Sequence, residues 1–299
     1  MTSSSDHQHS HPEQHRPEHG HGHQHEQDNA GGFTDLLDLD AEVLHDYWTA
    51  ALDWVRDAAA AAHPARLLDL GAGTGTGAIG LAGRFPAAEV TAVDIESDSL
   101  RLLRDRAGVL GLAPRLHAVE ADLDADWPDF GVLDLTWASM SLHHMADPAA
   151  VLREVLAATR DGGLIAVAEF PEPLRFLRTD LGIGKPGFEE RVITALGRAH
   201  AEEMPTLGSD WAPRLADAGW QVTAEHEFPV NLDPPAHPKA GRYAHAWFSR
   251  LAQGHTDRLE PADRETLAAL LDDDGPQSLL RGAGLHIRGL RTVTLARRG

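Results

Sequence analysis

The chain of 299 residues has no cysteine, so disulfides, thiolate metal sites and a cysteine nucleophile are excluded. Lysine is almost missing as well, with Lys185 and Lys239 the only two among 26 basic residues. Against 46 acidic residues these leave a formal net charge of −20. Such a surface repels polyanions and no basic cluster offsets it, so no nucleic-acid partner is expected. No run of about 18 apolar residues occurs, and no membrane span is expected. The N-terminus lacks the apolar core of a secretory signal, which points to a cytoplasmic protein.

Apolar side chains are also scarce in residues 1–30, where eight of the 19 histidines fall. A segment this polar cannot bury enough surface to offset its ordering entropy, and disorder is expected there. Interspersed imidazoles such as His19, His21, His23 and His25 have the chemistry to gather a divalent metal.

What is present is organised. From Phe33 onward Leu36, Leu37, Val43, Leu44, Trp48, Leu52 and Val55 recur at helical spacing, predicting a helical lid over 31–62. Strand and helix signals then alternate over 63–170, with strands at 66–70, 90–95, 116–120, 132–139 and 164–169. Helices are expected at 78–85, at 98–108 and after Asp147, an N-cap followed by Pro148. This rhythm predicts an α/β fold, a doubly wound Rossmann-like parallel sheet covered on both faces. Beyond 170 the rhythm breaks. Residues 171–299 are expected to supply the rest of the sheet, with helical cap insertions that shape a substrate region.

The stretch LLDLGAGTGTGAIG lies where the first strand turns into its helix, the ligand-binding end of such a sheet. Gly71, Gly73 and Gly75 allow backbone to approach a ligand, and Gly77 suits close helix packing. No Gly-Lys-Ser or Gly-Lys-Thr follows, so a Walker A loop is excluded. Three acids sharpen the reading. Asp69 would repel a pyrophosphate but suits an ammonium or sulfonium. Asp94 ends the second strand, placed for both hydroxyls of a ribose. Asp122 follows the third strand, placed for an adenine amine, with the Leu123 backbone along the ring edge. S-adenosylmethionine, a cationic adenosine-bearing amino acid, satisfies all three.

These motifs resemble those of the class I S-adenosylmethionine-dependent methyltransferases of bacterial small-molecule type. LLDLGAGTG resembles their first motif, AVDIESDSL their second-strand acid, EADL their adenine contact and DLTWASMSLHHMADP their fourth-strand region. The resemblance implies a seven-stranded sheet with one reversed strand. It also implies Asp69, Gly71 and Gly73 near the methionine moiety, Asp94 on the ribose, Ile95 against adenine, Asp122 on its amine and Ser139 near the methionine end.

The expected function is methyl transfer to oxygen or nitrogen of a small-molecule acceptor. Trp137-Ala138-Ser139-Met140 departs from the Asn/Asp-Pro-Pro-Tyr pattern of enzymes that methylate amide or exocyclic amine nitrogens. Candidates for a general base are His143, His144 and Glu169, with Tyr47 behind them. Phe176, Phe188, Tyr243, Trp247 and Phe248 are placed either to line an acceptor pocket or to form the cap's own core. Competing readings are a nicotinamide-dependent enzyme, an S-adenosylmethionine-binding enzyme with non-methylating chemistry, and a metal-handling protein using the histidine-rich tail.

Overall fold

The computed structural model describes residues 22–233, 237–282 and 285–299, with side chains for all of these except 22–31 and 33. Five strands run in parallel: β1 (Arg66–Leu70), β2 (Glu89–Asp94), β3 (Leu116–Glu120), β4 (Leu133–Ser139) and β5 (Thr159–Glu169). Between them lie α3 (Thr76–Arg84), α4 (Ser97–Val109) and α5 (Pro148–Ala158), after α1 (Gly22–Val43) and α2 (His45–Ala59). Then follow β6 (Arg175–Leu177), α6 (Phe188–Glu203), α7 (Trp211–Asp217), β7 (Gln221–Leu232), α8 (Ala240–Ala252), α9 (Pro261–Leu271) and β8 (Leu285–Arg297).

The sheet order is β3-β2-β1-β4-β5-β8, with β6 and β7 also paired to β8. β8 is antiparallel to β5, β6 and β7, which makes it the one reversed strand. The seven longer strands match the expected sheet. The three-residue β6 is an addition that takes the first part of the β8 edge whose remainder β5 occupies.

β1 shows why the parallel strands read as continuous apolar runs. Leu67 packs with the helices of one face, while Leu70 packs with Val151, Leu152, Trp211 and Trp220 on the other. A strand buried on both faces has no polar alternation. Asp147 caps α5 as expected, its side chain accepting from the Ala150 N–H at 2.9 Å.

Three expectations are corrected. The helix predicted through 33–62 is two helices, because the chain bends at buried Leu44 (φ −99°, ψ 29°). The Leu44 N–H still donates to Asp40 O, and the Trp48 N–H to Leu44 O. α1 begins at Gly22, so backbone expected as tail is helical from there; each added residue costs little once a turn exists. His19 and His21 lie outside the described residues, as do the side chains of His23 and His25. β5 starts at Thr159, five residues ahead of the start expected at 164, and so takes in Gly162 and Gly163. Of the two placements open to the cap aromatics the structure has the second: Phe176, Phe188, Tyr243 and Phe248 are fully buried against one another, Phe176 and Tyr243 at 5.1 Å between centroids. They and the partly buried Trp247 form the cap's core and do not line the cavity described next.

Candidate active site

A cavity of about 640 Å³ opens at the carboxyl ends of β1 to β4, the position that strand topology favours for ligands. Its lining follows the strand order. Asp122 and Leu123 come after β3, Asp94 ends β2 and Ile95 follows it, Gly71 and Gly73 come after β1, and Ser139, Met140 and His144 from β4 and beyond. Thr34, Leu37 and Asp40 of α1 and Trp48 of α2 lie over it, and Arg250 of α8 completes the wall. Of the residues expected at the cofactor, all but Gly75 line the cavity.

The loop after β1 is shaped by what touches it. Gly71 has φ +67°, and a Cβ there would fall 2.3 Å from Ser141 Cβ, so only glycine fits both the backbone and the space. Ser141 Oγ in turn donates to Leu70 O at 2.7 Å. Asp94 ties the loop to β2: Oδ2 accepts from the Gly73 N–H at 2.7 Å and Oδ1 from the Glu96 N–H at 2.9 Å. An ionised carboxylate offers about four lone-pair sites, which leaves Asp94 capacity toward the cavity. Gly75 is the correction. It precedes α3 at φ +92°, and a Cβ there would press on the Leu103 side chain of α4 at 2.6 Å, so its freedom serves packing.

Asp69 is buried at 2 % exposure, and its Oδ2 has no partner. Burial pushes its carboxyl up to about 7; a bond from the Ala78 N–H pulls it down and the Asp94 charge pushes it up again. Trp137 is wholly buried beside it, with Nε1 unpartnered, and Ser139 Oγ is unpartnered too. Asp122 Oδ1 accepts from the Asp124 N–H at 3.0 Å. Ile95, 58 % exposed, stands at the cavity rim.

The three candidate bases separate. His144 lines the cavity; burial, then the neighbouring charges of His143 and Arg250, lower its pKa to about 4. His143 and Glu169 lie behind the wall, Nδ1 and Oε2 at 2.8 Å, both nearly inaccessible. His143 packs on His144 at 4.3 Å and on Phe170 at 5.7 Å between ring centroids. The expectation that His143 or Glu169 faces the acceptor is therefore corrected: adjacent positions on a single helical turn point apart, and only His144 points in. Tyr47 is likewise buried behind the cavity, with its hydroxyl unpartnered.

Several residues at the site went unpredicted. Asp38 of α1 accepts from Thr74 Oγ1 at 2.7 Å and from Arg106 Nη1 at 2.8 Å, clasping the lid to the glycine loop and to α4. Asp40 lines the cavity while accepting from Trp48 Nε1 (3.0 Å), Tyr243 Oη (2.6 Å) and Arg291 Nη2 (2.9 Å). A signal for Asp40 was present: Leu36, Leu37, Val43 and Leu44 flank it at three and four residues, so an acid occupies the middle of an apolar helix face. Among the described residues no cluster of three His, Asp or Glu side chains has a geometry to hold a metal ion. None of their helices is long and apolar enough to cross a membrane.

Comparison with known proteins adds a family match over part of the chain. The methyltransferase domain model matches residues 67–163. A malonyl-[acyl-carrier protein] O-methyltransferase from Laribacter hongkongensis is 39% identical over 139 residues, covering 44% of this chain and 45% of that one. A demethylmenaquinone methyltransferase from Thermus thermophilus is 37% identical over 127 residues, covering 42% and 57%. The chain spans about half the length of the curated relatives it matches. In fold it is similar to the crystal structure of MccD protein, with TM-score 0.50 at 13% identity, covering 83% of this chain and 96% of that one. The matched segment carries the glycine loop, Asp69, Asp94, Asp122 and His144. Residues 67–163 are accordingly similar to a methyltransferase domain.

Proposed function

We propose that the whole chain is an S-adenosylmethionine-dependent methyltransferase whose acceptor is a small anion methylated on oxygen. The observation that carries the cofactor reading is the buried Asp69 carboxylate two residues before the glycine turn, whose Oδ2 has no partner. It suits a cation and opposes a pyrophosphate, which also argues against the nicotinamide reading. The residues present fit the cofactor. Asp94 would take the ribose hydroxyls, Ile95 and Leu123 the adenine faces and edge, Asp122 its amine, and Asp69 with Gly71, Gly73 and Ser139 the methionine end. When bound, the sulfonium supplies a methyl group already activated for displacement, so positioning and exclusion of water remain for the protein.

Acceptor chemistry is read from the β4 end of the cavity. His144 is neutral at pH 7 with its pKa lowered to about 4, so it makes a weak proton store. His143 and Glu169 hold each other behind the wall. An acceptor that arrives deprotonated needs no base. Arg250, close enough to lower the His144 pKa, supplies the positive charge such an acceptor would seek. One relative is named a malonyl-[acyl-carrier protein] O-methyltransferase; a malonyl group methylated on oxygen is an acid acceptor, here carried on a protein, which supports the acid and the oxygen of this reading.

Two experiments test it. Release of S-adenosylhomocysteine is measured while carboxylic acids, phenols and amines are offered as acceptors, with products checked for the added methyl. With the preferred acid, Arg250→Ala should raise KM about tenfold or more, the scale of a lost charged hydrogen bond, at unchanged S-adenosylhomocysteine affinity. An unchanged KM, or turnover confined to amines, would remove the anionic acceptor. Separately, Asp94→Ala should weaken S-adenosylhomocysteine binding by about 1.5–3 kcal/mol in calorimetry. Tighter binding of NADH than of S-adenosylhomocysteine by the unmodified chain would overturn the cofactor reading.

A further inference from the structure

Among the described residues only two that are not glycine have positive φ, His63 and Met140. His63 is an exposed loop residue ahead of β1. Met140 directly follows β4 at φ +50° and lines the cavity. A left-handed conformation is costly for any residue with a side chain, whereas glycine takes it freely. The chain uses glycine in this way at Gly71 and Gly73 of the same cavity. At Met140 the backbone is fixed by its surroundings. Its N–H donates to Ala168 O of β5 at 2.9 Å, and the turn it makes sets Ser141 Oγ on Leu70 O. Neither bond uses the methionine side chain. Strain kept at a cavity wall, where glycine would serve, implies that the side chain has a role there.

A second methionine stands five residues on. Met145 lines the cavity too, as does His144 between them. The whole chain has four methionines, so two in one wall is a concentration. Each packs on a different part of the core, Met140 with the cluster that holds Trp48 and Met145 with that of Leu70. Both stay partly exposed. Flexible thioether side chains make an apolar surface that adapts to its occupant. Charge is distributed the other way. Arg250 is the one Lys or Arg among the lining residues, against seven Asp and Glu side chains. A ligand with two carboxylates would find a partner for the first and repulsion for the second.

We propose that Met140 and Met145 seat the hydrocarbon body of the acceptor, a monocarboxylic acid with an apolar chain. Its carboxylate meets Arg250, and its body lies along the two thioethers past His144. This rests on the acid reading above and narrows it by excluding small diacids. The carboxylate oxygen bonds to the methyl carbon as the carbon–sulfur bond breaks, so the products are a methyl ester and S-adenosylhomocysteine. Because the seat adapts, selectivity follows apolar area more than outline.

The test offers acetate, butyrate, hexanoate, octanoate and octanedioate to the full chain, and measures S-adenosylhomocysteine released and ester formed. For the monoacids kcat/KM should rise about threefold to fourfold per methylene until the seat is filled. Octanoate should exceed octanedioate about tenfold or more, since the second carboxylate is left unpaired. Met140→Ala and Met145→Ala should each cost octanoate about fivefold to tenfold. Acetate turnover and affinity for S-adenosylhomocysteine should stay within about twofold. Met140→Gly should show the same selectivity and serves if the alanine variant folds poorly. It should also melt about 2–4 °C above Met140→Ala, the scale of one relieved left-handed residue. Equal melting of these two variants would remove the strain that singles out Met140 and overturn its part. Turnover independent of chain length, octanedioate matching octanoate, or equal losses for acetate and octanoate would overturn the inference and leave the acid reading standing. If none of these acids is methylated, the acid reading and this inference fall together.

Discussion

Replacing Arg291 by alanine should cost the fold about 3–5 kcal/mol, the scale for breaking a buried ion pair from one side. Arg291 is 4 % exposed, and its guanidinium donates to Asp40 Oδ2 at 2.9 Å while stacking over Phe170 at 5.0 Å. Once it is removed, Asp40 keeps only neutral donors, Trp48 and Tyr243, and a negative charge stays buried. The loss is felt in α1, α2, α8 and β8 together, because Asp40 is where they meet. For a chain of this size the melting temperature should fall by about 10 °C. Adding Asp40→Asn to the alanine variant should recover part of the loss, since no unpaired charge then remains. Melting within about 2 °C of the unmodified protein would show that the pair is solvated.

Cofactor affinity should rise steeply with pH up to about 7, because Asp69 must lose its proton to receive an ammonium. Burial raises its carboxyl to about 7, so below that pH the ligand-free site holds a proton that binding expels. The penalty is about tenfold per pH unit, or roughly a hundredfold between pH 7 and pH 5. Calorimetry of S-adenosylhomocysteine in buffers of different ionisation enthalpy should detect proton release at pH 6, and Asp69→Asn should abolish it. The same group acts on stability with a definite sign. Its folded pKa lies above the unfolded value, so its contribution is fully present below about pH 4 and is lost as pH rises through about 7. A ligand ammonium that pairs with the ionised form offsets that loss. Affinity independent of pH between 5 and 7 would show that Asp69 is ionised throughout, or not in contact with the ligand.

Residues 63–170 were legible because local signals agreed there. Alternating apolar runs and helical periods, a glycine turn and acids at strand ends all indicated one sheet, and the first four strands lie close to where they were read, while β5 begins five residues earlier. The lid was harder to read. No proline or glycine marks the bend at Leu44, which follows from packing that local periodicity cannot register. His143 and His144 could not be told apart, since their orientations depend on Glu169, 26 residues after His143. Arg291 carried a signal that was missed: along β8 it shares the inward phase with Ile287, Val293 and Leu295. A charged residue in step with buried ones announces a buried partner, but nothing in the sequence said that the partner would be Asp40. β6 was invisible because three residues carry too little pattern to stand out from loop.

The Asp40–Arg291 contact joins residues 251 positions apart, and this has a consequence for how the molecule comes into being. Ribosomes add about 5–20 residues per second, so tens of seconds separate the synthesis of the acid from that of its counter-ion. During that interval the glycine turn and the first five strands already exist, but Asp40 has no cation to meet and cannot enter the interior without a large penalty. The nascent lid must therefore stay loose until β8 arrives and inserts between β5 and β7. Ligand competence should accordingly be acquired late and all at once, with a chaperone-accessible interval before it. Contacts of such long sequence separation slow folding in general; here one of them also forms a wall of the cavity.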